Sequence, residues 1–136
     1  MKYLHDGYIL FCQEATHEEN GRVDAIGLFD LFVVKELPTP MGCSCVLGFG
    51  TPFERRQYKG NVTIEDPDGK VIFEREFNAN DPADIFKGHY IFKPEATLTK
   101  EGAYAAKVSL KNWKDDTMWD FERKFFTMLE GTPTDP

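Results

Sequence analysis

The 136-residue sequence is short of most features that announce chemistry. It contains no run of about eighteen apolar residues, so no segment is expected to cross a membrane. The opening Met1-Lys2-Tyr3-Leu4-His5-Asp6 is interrupted by His and Asp and lacks the apolar stretch of a secretion signal. Cysteine is limited to Cys12, Cys43 and Cys45, an odd number without the spacing of a disulfide framework. These absences predict a reducing, cytoplasmic setting and three free, structurally passive thiols.

Positive charge is also scarce. Sixteen Lys and Arg stand against 23 Asp and Glu, for a formal net charge of −7. The cations are scattered, with only short pairs such as Arg55-Arg56 and Arg123-Lys124. Phosphate backbones are repelled by such an acidic surface, so no nucleic-acid partner is expected.

Catalytic and metal-binding signatures are missing as well. Ser44 and Ser109 are the only serines, and neither lies in a G-x-S-x-G elbow. No phosphate-cradling G-x-x-x-x-G-K-[ST] loop is present. His5, His17 and His89 are not paired with one another at ligand spacing. Cys43-Ser44-Cys45 would send both thiols to one strand face, yet it lacks the C-x-x-C helix start of a redox pair. Asp66, Asp68, Asp115 and Asp116 fall in turns, where Asp serves local hydrogen bonding, and no D-x-D-x-D-G loop accompanies them. The sequence thus predicts no catalytic residue, metal or cofactor, and a chain that is not an enzyme.

What is present is a core. Hydrophobic residues make up 41% and aromatics 14%, including twelve Phe, which is ample apolar surface for a folded domain. Strand-like runs and turn signals alternate about every ten residues. Tyr8 to Gln13 opens the series, and Asn20-Gly21 supplies a hairpin turn into a second strand from Arg22 through Val34. Leu37 to Gly42, with two prolines, reads as a loop. Further strands are expected at Cys43 to Phe49 and Gln57 to Glu65, followed by the Asp66-Pro67-Asp68-Gly69 turn. Lys70 to Phe77 alternates, with Val71, Phe73 and Phe77 on one face and Ile72, Glu74 and Glu76 on the other. Asp81 and Pro82 could cap one short helix near 81–87. Strands at Tyr90 to Phe92 and Ala103 to Trp113 follow, and Met118 to Leu129 closes a last hairpin. In Ala103 to Trp113, Tyr104, Ala106, Val108 and Leu110 are the inward set. The expectation is an all-β antiparallel sandwich of about eight strands over 1–129, with a flexible tail at 130–136.

Three features carry a resemblance. They are the opening strand with Asn20-Gly21-Arg22 and Ile26-Gly27-Leu28-Phe29-Asp30, the Pro-containing loop after it, and Gly102-x-Tyr104 opening a late strand. The chain resembles a bacterial family of uncharacterised small cytosolic proteins with an immunoglobulin-like β-sandwich fold, over roughly Tyr8 to Leu129. The resemblance implies that fold and brings no catalytic residues. Gly102 and Tyr104 also read as structural, a tight turn and a tyrosine corner, and Gly69 as a turn residue.

The remaining signal is aromatic. Adjacent Phe125 and Phe126 must face opposite sides of a regular strand, and Trp113 falls on the Lys107/Lys111 face. Trp113, Trp119, Phe125 and Phe126 are therefore the candidate interface or ligand platform. The expected function is a non-catalytic protein-binding or assembly module, its partner another protein or a second copy meeting the C-terminal hairpin. The alternative is a small-ligand or carbohydrate-binding sandwich that stacks its ligand on exposed Trp.

Overall fold

The alternation read in Ala103 to Leu110 is realised. Tyr104, Ala106, Val108 and Leu110 are all buried, on a strand running Gly102–Lys111. A computed structural model describes residues 8–17, 23–48, 59–78, 89–111 and 117–131. The Asn20-Gly21 turn, the region near 81–87, Trp113 and residues 132–136 lie outside the described residues, as does the side chain of Trp119.

The described residues are all-β, with eleven strands and no helix. In chain order they are β1 (Tyr8–His17), β2 (Val23–Phe29), β3 (Leu31–Val34), β4 (Thr39–Pro40), β5 (Ser44–Gly48), β6 (Lys59–Glu65), β7 (Val71–Asn78), β8 (His89–Phe92), β9 (Thr97–Leu98), β10 (Gly102–Lys111) and β11 (Thr117–Leu129). One sheet has the order β2-β1-β5-β8, and a second has the order β3-β11-β10-β6-β7. A two-stranded piece, β4-β9, stands apart. All pairings are antiparallel except β3 with β11, which is parallel.

One apolar cluster joins the two large sheets. Ile9, Phe11, Cys45, Leu47, Tyr90 and Phe92 come from the first, and Phe32, Val62, Ile64, Tyr104, Val108 and Phe125 from the second. Aromatic contacts cross between them: Phe11 meets Phe125 at 4.8 Å between ring centroids, and Tyr90 stacks on Phe77 at 4.7 Å. Arg75 lies over the rings of Phe73 and Phe92, one from each sheet, and caps the core at the β7 edge.

The expected count of about eight antiparallel strands gives way to eleven with one parallel pairing, and three local expectations change as well. The single strand expected from Arg22 to Val34 breaks at Asp30, so that β2 borders one sheet and β3 the other. An apolar run interrupted only by Asp30 does not report such a crossover, because both halves have apolar neighbours. In β7 a bulge opposite Ile64 and Glu65 shifts the register, so Ile72 packs against the core and Val71 is exposed. The proline loop contains β4, whose Thr39 and Pro40 pair with Leu98 and Thr97.

Candidate interaction face

β11 pairs with β10 from Thr117 to Thr127 and with β3 from Phe126 to Leu129. Its Phe126 lies opposite Ala103 of β10 and opposite Leu31 of β3. Among the described residues β3 borders this sheet beside Phe126 to Leu129, the end of the C-terminal hairpin. Parallel pairing is secured where Phe126 N–H donates to Asp30 O at 3.0 Å and Glu130 N–H donates to Val34 O at 2.7 Å.

The pleat then sorts the neighbouring phenylalanines. Phe125 is fully buried, stacked on Tyr104 at 5.2 Å between centroids. It belongs to the core and is withdrawn from the candidate platform. Phe126 points the other way and is 52% exposed. Next to it, Leu31 is 45% and Val33 is 56% exposed, while the intervening Phe32 is buried. Leu31, Val33 and Phe126 thus form one apolar patch, with the half-buried Met128 opposite Val33. Across the crossover, Ile26 and Leu28 of β2 are each 61% exposed on the edge of the other sheet. Sequence reasoning missed these four aliphatic residues, because exposure in an apolar run is invisible until its sheet edge is known.

Charge along this edge has a direction. Asp30 immediately precedes β3 and Lys35 immediately follows it, and both are exposed. The Arg123 Nη2 atom lies 3.7 Å from Asp30 Oδ2.

Away from this corner the same sheet face turns polar. Asp120, Ser109 and Asn61 align in one cross-strand row, and Glu122, Lys107, Thr63 and Glu74 in another. All of these but Glu74 border a shallow groove of about 430 Å³. Asn61 Nδ2 donates to Glu74 Oε2 at 3.1 Å, and Lys107 Nζ donates to Glu65 Oε1 at 3.1 Å.

Gly102 and Tyr104 form the expected corner. The Tyr104 hydroxyl donates to Lys100 O at 2.7 Å and accepts from Lys100 N–H at 3.2 Å. Gly102 has φ of 128°, and a Cβ there would meet Pro67 Cγ at 3.0 Å. Pro67 belongs to the Asp66–Gly69 turn, in which Gly69 takes φ of 82°. Asp66 Oδ1 accepts from Asp68 N–H and Lys70 N–H, each at 2.9 Å. Lys100 Nζ bridges to Asp68 and stands 3.8 Å from Asp66 Oδ2. The Lys70 amide above all, opposed by desolvation and then aided by the Asp68 amide and the Lys100 and Lys70 charges, holds the Asp66 carboxyl below the usual aspartate range.

The three thiols are free and buried. Burial, with Cys12 nearby, pushes Cys43 up to about 12, and burial above all raises Cys45 well above the ordinary range. Cys12 is raised by burial and donates to Ser44 O at 3.7 Å. At neutral pH the thiols stay protonated, which suits packing rather than nucleophilic chemistry. Among the described residues no group of three or more His, Cys, Asp or Glu is arranged to hold a metal ion.

A family model described as a family of unknown function (DUF6941) matches residues 7–117. The chain belongs to that family. The match spans β1 to β10 and the first residue of β11, and so includes β3. No curated protein matches. Among solved structures, the soluble domain of PmoD from Methylocystis sp. ATCC 49242 (Rockwell) is similar over 90% of each chain, with a TM-score of 0.52 and 12% identity. At that identity the likeness speaks for the fold alone.

Proposed function

We propose that this DUF6941 member is a non-catalytic protein-binding or assembly module, working in the cytoplasm through the β3–β11 edge of an immunoglobulin-like sandwich. The observation that carries the reading is the contiguous exposure of Leu31, Val33 and Phe126 at a sheet edge that is open among the described residues. Covering each half-exposed side chain is worth roughly 1 kcal/mol, which a partner recovers. The thiols held in their neutral form and the missing nucleophile motifs favour binding over catalysis.

The test is native size fractionation of source extract, comparing the wild type with the triple variant Leu31→Ser/Val33→Thr/Phe126→Ser. The wild type is expected in a complex larger than its 15.6 kDa, and the variant as a monomer. A monomeric wild type, or a complex that the variant leaves intact, refutes the reading.

The polar groove supports a second reading, a small polyhydroxylated ligand lying across Asn61, Thr63, Ser109 and Asp120. Calorimetric titration with oligosaccharides, compared between wild type and Asn61→Ala, separates it from the first.

A further inference from the structure

We infer that the occupant of the β3 edge is a second copy of this chain, paired with β3 in the antiparallel sense so that two five-stranded sheets become one. The inference rests on the protein-binding reading above and names its partner.

Hydrogen bonding comes first. Asp30 and Val34 direct their carbonyls at β11. Peptide groups alternate along a strand, so those of Leu31 and Val33 are directed away from β11, toward the open edge. An antiparallel pair centred on Phe32 sets Leu31 opposite Val33 of the second copy. The outward groups of these two residues then satisfy each other.

Side chains follow the same register. Leu31 and Val33 stand on the outer face, so the two copies contribute four aliphatic side chains to one stripe. A Phe126 flanks that stripe on either side. Cross-strand apolar pairs of this kind are the unit of sheet stabilisation.

Charge chooses the direction. Asp30 stands at one end of β3 and Lys35 at the other. In the antiparallel arrangement each copy's Asp30 comes within one residue of the other's Lys35. In a parallel arrangement Asp30 would meet Asp30 and Lys35 would meet Lys35, a repulsive pairing. The net charge of −7 works against association at long range, so the contact depends on this local match.

The test is sedimentation of the purified chain over a concentration series. Wild type should reach twice the 15.6 kDa monomer mass. Val33→Pro removes a backbone donor that β11 does not use and should leave only monomer, its fold checked by circular dichroism. Lys35→Asp should weaken association on the order of tenfold, with Asp30→Lys/Lys35→Asp restoring it. A chain that stays monomeric at every concentration overturns the inference. So does a dimer that Val33→Pro and the charge reversals leave unchanged. If the purified chain is monomeric while the larger complex in extract persists and is lost in the triple variant, self-pairing fails and the protein-binding reading stands.

Discussion

Two corners of the same five-stranded sheet solve opposite problems. At the turn joining β6 to β7, polar groups are gathered and paired: Asp66 receives two amides, Lys100 neutralises Asp66 and Asp68, and the Tyr104 hydroxyl both donates and accepts. At the β3 edge, apolar side chains are left facing solvent. The first corner is closed because a buried polar group left unpaired costs more than an exposed one. The second is open because nothing within the described chain lies beyond β3. Polar pairing is therefore concentrated at this clasp, and exposed apolar surface at the edge.

Phe125 and Phe126 give the sharpest contrast, one residue apart on opposite sides of β11. Phe125→Ala should destabilise the fold by about 3–5 kcal/mol, the usual cost of truncating a core aromatic, measured by denaturant unfolding. A loss well below that range would mean that the core closes around the cavity. Tyr104→Phe keeps the ring against Phe125 but removes the hydroxyl. It should cost about 1–2 kcal/mol, because the Lys100 peptide loses its partner.

The clasp also predicts a pH dependence. The folded Asp66 carboxyl titrates below its unfolded value, so the unfolded chain binds the proton more readily. Its stabilisation is complete above the ordinary aspartate range and is lost as pH falls through that range to the folded value. Melting temperature followed from neutral pH downward should drop there, and Asp66→Asn should flatten that acid limb. An unchanged limb would remove Asp66 from the account.

Two smaller effects complete the contrast. Thr127 is buried between β3 and β10, and its Oγ1 has no hydrogen-bond partner. Thr127→Val keeps the shape and removes the stranded hydroxyl, so thermal unfolding should show a gain of up to about 1 kcal/mol. Phe126→Ser should cost the monomer only about 1 kcal/mol while reducing association, since about half of the ring is already covered within the monomer. A large loss of stability there would turn the open corner into core.

The period-two alternation of β10 was legible in advance, whereas that of β7 was displaced by its bulge. Tyr104 to Leu110, the turn at Asp66–Gly69 and the tyrosine corner depend on near neighbours, and their residue types carry the signal. The candidate face was half legible. Strand parity alone shows that one of Phe125 and Phe126 must face out, but not which, and gives no hint that Leu31 and Val33 would join it. Nor does parity show that β3 pairs with the end of β11 and sets its own exposed side chains beside Phe126.

By itself, the sequence determined the β-rich character of the chain, the Asp66–Gly69 turn, the inward-facing set of β10 and the acidic charge, because these follow from local backbone preference and composition. Tertiary structure alone decided that the run around Asp30 crosses between sheets, that β3 lies parallel to β11, and that Ile26, Leu28, Leu31 and Val33 stay exposed. The reason is physical. An apolar side chain is buried by what packs against it, and in a sheet that neighbour comes from a distant part of the chain: Leu31 finds its place beside Phe126, and beyond β3 the described chain supplies no further strand.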